Sequence, residues 1–225
     1  MFMAPRDISL FLRSSRTDAA VTRLRSGREP HAVFDAIYAD ADPWASADPR
    51  YRYQSRKYDV LCSLLPRRPF GRALDVGCGL GGLASRVALL ADIVLGLDVS
   101  QHAVTRATAL HAGIGNLDFA QADMRDISTD HDSRYDLVTV ADSIYYLPPP
   151  LGDDVLKTMA TRLARLLRPG GLLLLANHYF FDGDKDSRLT RRIHRAFAWS
   201  PSLRVVSEHR RPFYLATLLE PNAPA

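Results

Sequence analysis

A strand that leads into a glycine-rich turn and then a helix is the feature that most limits what this chain can fold into. The residues are Leu-Asp-Val-Gly-Cys-Gly-Leu-Gly-Gly, positions 74–82. Glycine has no Cβ and a free φ angle, so such a turn lets the backbone approach a nucleotide-like ligand closely. Gly77, Gly79 and Gly82 also satisfy the dinucleotide pattern G-x-G-x-x-G, and a tight turn without any ligand is the alternative.

Short apolar segments alternate with amphipathic segments after Pro69, and this alternation predicts βαβ units in a mostly parallel sheet. The helical pattern at 153–167 has acidic residues at its start and arginines at its end, as the helix dipole favours. The expected class is therefore α/β. Strands are predicted at 73–76, 93–97, 117–121, 137–141 and 172–176, with helices at 82–90, 100–111 and 153–167.

The length of 225 residues fits one domain. Residues 1–30 contain six arginines and only a short apolar stretch, which indicates a weakly ordered basic arm. A single domain is predicted over 31–220, with a helical N-terminal lid at 31–68 and a core at 69–220. Apolar residues recur at helical spacing within this lid, over 32–38 and 53–65.

Composition excludes several classes of protein. Two cysteines, Cys62 and Cys78, cannot form a four-cysteine zinc site and are expected to be free thiols in a reducing compartment. The first 13 residues lack a secretory apolar region, and the longest strongly apolar run, 172–176, is too short to cross a bilayer, so a cytoplasmic protein is expected. The net charge of +4 comes without a stacking-aromatic motif, so nucleic acid is not the favoured partner.

Two acidic residues suggest which cofactor the glycine-rich turn binds. Asp98 closes the second predicted strand, where its carboxylate can accept both hydroxyl hydrogens of a ribose, a group that NAD and S-adenosylmethionine share. Asp75 precedes the first glycine by two residues, and an acid there suits a cationic methionine ammonium better than a pyrophosphate. S-adenosylmethionine is therefore favoured, with an NAD-dependent oxidoreductase and a non-catalytic cofactor-binding regulator as distant alternatives.

The sequence resembles the class I S-adenosylmethionine-dependent methyltransferases over residues 55–218. Their D-x-G-x-G-x-G loop is matched by Asp75, Gly77, Gly79 and Gly81. The resemblance implies a Rossmann-like, seven-stranded sheet whose antiparallel last strand comes from a hairpin at 203–208 and 213–219, which a dehydrogenase would not be expected to add. It also implies that Asp75 and the glycines hold the methionine moiety and Asp98 the ribose. The other implied cofactor contacts are Asp123 and Met124, at the adenine, and Ala141.

A narrower resemblance is to the nodulation protein S type of methyltransferase. It rests on Asp-Pro-Trp at 42–44, Tyr-Gln-Ser-Arg-Lys-Tyr at 53–58 and Ala-Asp-Ser-Ile-Tyr-Tyr-Leu at 141–147. This resemblance implies N-methylation of the free amine of a deacetylated chitooligosaccharide, with S-adenosylhomocysteine as the second product. Gln54 and Asp142 stand where glutamate is expected, so O-methylation of a sugar or natural product is the alternative.

Candidate catalytic residues follow the fourth and fifth strands. Asp142 is predicted to orient or deprotonate the acceptor and Tyr145 to shape the methyl-transfer channel, whereas a helix cap and core packing are their alternatives. His178 is a second candidate base, or a surface histidine. Asp123 could likewise be a helix cap. Residues expected to close over the cofactor or substrate, rather than simply to pack, are Trp44, Tyr53, Lys57 and Tyr146.

The last pattern is a basic helical face made of Arg188, Arg191, Arg192 and Arg195. It is predicted to be solvated, with binding of a phosphorylated or carrier-linked small-molecule acceptor as the alternative. The segment 182–186 is similar to the start of a calcium loop. Ser187 stands where that loop needs glycine, however, so no metal is expected. The oligomeric state is left open.

Overall fold

A computed structural model describes residues 5–25, 27–39, 42–48, 50–149, 151–181 and 183–222. No helix in these ranges is both long and apolar enough to span a bilayer. The helices are α1 (Pro5–Leu24), α2 (Pro30–Tyr38), α3 (Arg52–Ser63), α4 (Ala84–Val87), α5 (Gln101–Leu110), α6 (Asp153–Leu166) and α7 (Lys185–Ala198). The strands are β1 (Phe70–Val76), β2 (Ala91–Asp98), β3 (Leu117–Gln121), β4 (Tyr135–Ala141), β5 (Leu167–Tyr179), β6 (Leu203–Arg211) and β7 (Phe213–Pro221).

These strands form one sheet in the order β3-β2-β1-β4-β5-β7-β6. Neighbours among β1 to β5 are parallel, whereas β7 is antiparallel to both β5 and β6. The strand order reverses between β1 and β4, and ligands of open α/β sheets bind at the carboxyl ends of the strands beside such a reversal. The predicted α/β class, the mostly parallel sheet and its antiparallel last strand are confirmed.

Two predicted elements differ most from the structure. The helix expected at 82–90 shortens to α4, and beyond it the N–H groups of Leu89 and Leu90 bond to the carbonyls three residues earlier, as in a turn. The fifth strand begins at Leu167 instead of residue 172, because the Pro-Gly-Gly segment at 169–171 continues the strand. In this segment the register of the pairing between β4 and β5 shifts between Tyr135 and Leu137.

Helices cover both faces of the sheet, and β5 is buried between them. Its side chains alternate between the two faces with the period of two that a strand requires. Each fully buried leucine contributes about 2 to 3 kcal/mol to stability. One face packs Leu173 and Leu175 against Leu163, Ile193 and Phe197. The other face packs Leu172 and Leu174 against Leu61, Val87 and Ala84.

The N-terminal segment differs from the predicted basic arm. Residues 5–24 form α1, and Val21, 1% exposed, packs with Val33 and Phe34 of α2. Two arginines that suggested a weakly ordered arm bind backbone: Arg13 donates to the Asp42 carbonyl at 2.6 Å and Arg25 to the Tyr146 carbonyl at 2.5 Å. The helical cover of the core therefore begins before residue 31. Residues 1–4 and 26 lie outside the described ranges.

Candidate active site

A cavity of about 370 Å³ lies at the carboxyl ends of β1, β2, β4 and β5, covered by residues of α1, α2 and α3. Its volume is within the range of about 300 to 1,000 Å³ that is typical of ligand sites. Of the predicted site residues, the cavity lining contains Gly77, Gly79, Asp98, Asp123, Met124, Ala141, Asp142, Tyr145, Tyr146, His178, Trp44, Tyr53 and Lys57. The sequence predictions therefore converge on one place in the fold.

The glycine-rich turn forms one wall of this cavity. Gly79 has a φ angle of +54°, and a Cβ built on it would lie 2.8 Å from the hydroxyl oxygen of Tyr38. The N–H of Gly79 donates to Asp98 at 2.8 Å. A side chain at position 79 would therefore strain the backbone and fill the space between this turn and α2.

Asp75 and Gly81, both predicted to contact the cofactor, are absent from the described lining of the cavity. Gly81 has a φ angle of +76°, and a Cβ there would lie 2.5 Å from the ring of Phe119, so this glycine serves packing behind the turn. Asp75 is 2% exposed and accepts the hydroxyl hydrogen of Thr139 at 2.6 Å. Burial raises the pKa of Asp75 to about 7, against the opposing hydrogen bonds from Thr139 and the Ala84 N–H.

Asp98 is placed as predicted, at the end of β2 and in the cavity wall. It is buried, and it accepts the N–H groups of Gly79 at 2.8 Å and Ser100 at 3.0 Å. Burial raises the pKa of its carboxyl group, and these backbone hydrogen bonds oppose that rise. The backbone thus fixes the orientation of a carboxylate that can accept hydrogen bonds from ligand hydroxyl groups.

Asp123 does not cap a helix, because the chain after β3 forms a turn. It lines the cavity, and its Oδ1 also accepts the N–H of Arg125 at 2.8 Å in the turn after β3. The Arg125 side chain binds the same carboxylate through Nη2 at 2.6 Å. Burial alone would raise the pKa of Asp123, but the hydrogen bonds of Arg125 outweigh it and lower the pKa. Met124 follows in the same wall.

Asp142 and Lys57 form an ion pair in the opposite part of the cavity. The Lys57 side chain is 1% exposed, and its Nζ also lies 5.3 Å from the ring centroid of Tyr214. Asp142 has a φ angle of +52°, a conformation that aspartate and asparagine tolerate better than most residues. Its N–H donates to the Ala176 carbonyl at 2.9 Å, which holds it beside the end of β5.

Three buried polar atoms of cavity-lining residues have no hydrogen-bond partner among the described residues. They are Asp142 Oδ1, His178 Nε2 and Gln54 Oε1. The His178 ring packs edge-on against Tyr145, with centroids 6.1 Å apart. Burial raises the pKa of Tyr145 well above its ordinary value, so its phenol is neutral. A buried polar group without a partner costs roughly 1 to 3 kcal/mol, so these three atoms indicate a polar ligand.

Aromatic residues of the N-terminal segment cover the other end of the cavity. The Trp44 ring lies 5.5 Å from Tyr146 and 5.6 Å from Tyr38, centroid to centroid. Asp18 of α1 accepts the Tyr146 hydroxyl at 2.5 Å and the Trp44 indole N–H at 3.3 Å. The predicted lid residues therefore pack together and also line the site, so packing and covering are not exclusive alternatives here.

Several lining residues were missed by the sequence analysis. Asp18 lies in the segment interpreted as an arm, and Tyr38 lies in a predicted helix without any motif. Phe213, whose ring centroid lies 6.2 Å from Tyr53, comes from the terminal hairpin. No local sequence signal marks Phe213, because only the pairing of β7 with β5 brings it to the cavity.

The basic face of α7 makes local contacts. Arg191 donates to the Tyr179 hydroxyl at 2.8 Å, Arg188 to the Gly183 carbonyl at 2.5 Å, and Arg195 lies over Trp199. None of the four arginines is among the described lining residues of the cavity. Asp182, which began the rejected calcium pattern, lies outside the described residues. Among the described residues, no cluster of three or more His, Cys, Asp or Glu side chains could hold a metal ion.

The cavity is predominantly acidic. Among the described residues that line it, the only ammonium group is that of Lys57, and there is no arginine. A cationic ligand is therefore favoured over a polyanion such as a pyrophosphate. The five lining carboxylates belong to Asp18, Asp98, Asp123, Asp142 and Asp186.

Comparison with known proteins gives consistent similarities. Residues 73–171 match the family described as methyltransferase domain. The ubiquinone biosynthesis O-methyltransferase of Klebsiella pneumoniae is 29% identical over 147 residues, which cover 63% of this chain and 58% of that protein. The putative methyltransferase YqeM of Bacillus subtilis is 32% identical over 149 residues, which cover 61% and 58%. The chain thus spans less than two thirds of these curated relatives.

Among solved structures, the N-methyltransferase NodS from Bradyrhizobium japonicum WM9, in complex with S-adenosyl-l-homocysteine, is similar to this chain with a TM-score of 0.70. The sequence identity is 20%, and the match covers 87% of this chain and 100% of that one. At this identity the similarity establishes a shared fold, and the site residues have to be argued from their own geometry.

Proposed function

We propose that the protein transfers a methyl group from S-adenosylmethionine to a small polar amine, such as that of an amino sugar. The match of residues 73–171 to the methyltransferase domain family and the seven-stranded sheet with its antiparallel last strand support this proposal. S-adenosylhomocysteine is the second product. The observation that carries the choice of acceptor is the set of three unpartnered polar atoms, on Asp142, His178 and Gln54, in the cavity wall.

The residues at the carboxyl ends of β1 to β3 fit this cofactor. Gly77 and Gly79 would leave room for its methionine moiety, Asp98 would accept hydrogen bonds from the ribose, and Asp123 with Met124 would border the adenine. The acidic lining supports a cofactor that carries a sulfonium and an ammonium, and it opposes NAD with its pyrophosphate. The carboxylates of the whole cavity wall, and not Asp75, therefore favour the cationic cofactor. When bound, S-adenosylmethionine supplies a methyl group that the sulfonium already activates.

The acceptor half of the cavity has the groups that an amine needs. Asp142 Oδ1 and Gln54 Oε1 are hydrogen-bond acceptors, and they suit the N–H groups of an amine. An amine that arrives protonated has to lose one proton before its nitrogen lone pair can attack the methyl carbon. His178 Nε2 accepts that proton, whereas Asp142, whose charge Lys57 neutralises, orients the nitrogen. Tyr145 holds the His178 ring and narrows the channel.

O-methylation is the second candidate, and Lys57 is the observation that favours it. The buried ammonium of Lys57 lies in the cavity wall. It would stabilise the negative charge that develops on a hydroxyl acceptor as this group loses its proton. A hydroxyl acceptor would therefore depend on Lys57 more strongly than an amine would.

The first experiment is methyl transfer from labelled S-adenosylmethionine to a chitooligosaccharide with a free terminal amine, beside its fully N-acetylated twin. Labelling of the first compound alone supports N-methylation of an amino sugar. Labelling of both supports a hydroxyl acceptor. Titration with S-adenosylhomocysteine in a calorimeter tests the cofactor separately, and the absence of binding would contradict the proposal for the whole site.

Variants of the two polar residues test their roles. His178→Ala is expected to lower kcat by roughly 100-fold, because general base catalysis typically contributes 10²- to 10⁴-fold. Asp142→Asn is expected to lower kcat less and to raise KM for the acceptor, because the amide keeps one acceptor oxygen. Affinity for S-adenosylhomocysteine should change by less than about twofold in both variants, since neither residue belongs to the cofactor half. Unchanged kcat in His178→Ala would contradict its role as base.

A further inference from the structure

The buried face of α7 is polar over half of its length. Ser187, Thr190 and His194 are 0%, 1% and 2% exposed, and their spacing of three and four residues puts them on one side of the helix. Ile193 and Phe197 continue this face as apolar residues at 0% exposed. Burial of hydroxyl and imidazole groups is unfavourable unless they form hydrogen bonds. Apolar side chains would pack a purely structural contact without this cost.

These polar side chains bind residues at the end of β5 and just beyond it. Thr190 Oγ1 donates to the His178 carbonyl at 2.7 Å, and Ser187 Oγ accepts the N–H of Phe180 at 2.8 Å. The His194 ring lies between the Asn177 side chain, 3.2 Å from its oxygen, and Thr217 Oγ1 at 2.7 Å. Burial lowers the pKa of His194 to about 3, so its imidazole is neutral, with one nitrogen donating and the other accepting.

The end of β5 needs such contacts because β4 stops short of it. The last pair between the two strands is Ala141 with Ala176, so β5 has a strand on only one side from residue 177 onward. On the other side β7 continues, with Tyr214 opposite His178. Thr190 and Ser187 therefore bind backbone groups in the segment that β4 does not reach, and His194 binds the Asn177 side chain beside them.

The residue that this arrangement holds is His178. Successive side chains of a strand point to opposite faces, and Asn177 points to α7, where it meets His194. His178 therefore points away from α7, into the cavity that it lines, where its Nε2 is buried without a partner among the described residues. Its ring is fixed by Tyr145 and by Phe180, whose centroid is 4.9 Å away, while α7 fixes its backbone.

We propose that Ser187, Thr190 and His194 are positioning residues, which hold the backbone on either side of His178 so that its Nε2 meets the proton of the acceptor. The inference rests on the proposed function, in which His178 is the catalytic base. Displacement of a reacting group by about 1 Å can lower a rate by about 100-fold, so small shifts of this strand end are sufficient.

The test uses Thr190→Val, which keeps the shape of the side chain and removes its hydroxyl. The expected result is a fall in kcat of about tenfold or more, with KM for the acceptor and the affinity for S-adenosylhomocysteine changed by less than about twofold. Thr190→Ser restores the hydroxyl and should recover most of the loss. The control is Thr108→Val on α5, an exposed threonine outside the described cavity lining, where the lost hydrogen bond is to the Val104 carbonyl.

A second readout does not depend on activity. In the protein bound to S-adenosylhomocysteine, the side-chain nitrogen signals of His178 should shift in Thr190→Val and stay unchanged in Thr108→Val. Ser187→Ala serves as a second variant, with the same expected direction, where Thr190→Val is too unstable to study.

The outcomes separate the two proposals. If His178→Ala leaves kcat unchanged, the proposed role of His178 fails, and the positioning role fails with it. If His178→Ala lowers kcat but Thr190→Val and Ser187→Ala behave like Thr108→Val in both readouts, positioning by α7 is refuted while the proposed function stands.

Discussion

The ion pair between Lys57 and Asp142 allows a stability prediction of definite size. Lys57 is 1% exposed and Asp142 21% exposed, so the pair lies between a surface pair, worth about 0 to 1 kcal/mol, and a fully buried pair, whose disruption costs about 3 to 5 kcal/mol. Asp142→Asn leaves a buried ammonium without its counter-charge and should cost about 3 kcal/mol. Lys57→Met leaves a carboxylate that water can reach, and should cost about 2 kcal/mol.

The double variant Lys57→Met/Asp142→Asn completes the cycle. Because it removes both charges, it should cost about as much as the worse single variant, which corresponds to a coupling energy of about 2 kcal/mol. The assay is urea unfolding at pH 7.5, with equal m-values required across the four proteins. If the costs of the two single variants sum to the cost of the double variant within about 0.5 kcal/mol, the two charges do not interact as a desolvated pair, and the prediction is refuted.

A surface pair of the same chain provides the matched control. Arg86 and Asp59 are 2.7 Å apart, with side chains 27% and 62% exposed. Their cycle, with Arg86→Met and Asp59→Asn, should give a coupling energy below about 1 kcal/mol, because both charges remain hydrated. Similar coupling in the two cycles would show that burial is not what distinguishes the Lys57 pair.

Two further predictions concern the glycine-rich turn and α7. Gly79→Ala should weaken binding of S-adenosylhomocysteine at least tenfold in calorimetry, because its φ of +54° and the Tyr38 hydroxyl leave no room for a Cβ; unchanged affinity would contradict the assignment. His194→Gln should change the slope of stability against pH. Because burial lowers the pKa of His194 to about 3, only the unfolded chain binds that proton between about pH 6.5 and 3, so His194 contributes a fall in wild-type stability of up to about 1.4 kcal/mol per pH unit from pH 6 to 4, and the variant should lack this contribution. Equal slopes in urea titrations of the two proteins would exclude a buried neutral His194.

Most of the architecture could be predicted because it follows from local patterns. Apolar runs of strand length alternate with amphipathic segments, and this alternation indicates the parallel sheet before any contact is known. The errors lie where tertiary contacts override local preference. Arginines of residues 1–30 suggested a weakly ordered arm, but in the structure α1 buries Val21, and Arg13 and Arg25 bind backbone carbonyls.

The place of several cavity-lining residues could be predicted because they stand at the ends of strands. Asp98, Asp142 and His178 lie at or just beyond the carboxyl ends of β2, β4 and β5, so the parallel sheet brings them to one edge. Asp75 also lies in the motif, but its carboxylate accepts the hydroxyl hydrogen of Thr139. The spacing of the motif does not reveal which way the Asp75 side chain points. Phe213 reaches the cavity only because β7 pairs with β5, a strand that is distant in the sequence.

The sequence by itself determined the fold class and the place of the site, since strand periods and a glycine-rich turn are written in neighbouring residues. Only the tertiary structure decided the chemistry of that site. Lys57 is buried beside Asp142, and α7 forms hydrogen bonds to the strand end that carries His178. Both contacts join residues that are distant along the chain. The charge and hydrogen-bonding state of such groups depends on exclusion of water by the packed protein, which no local pattern encodes.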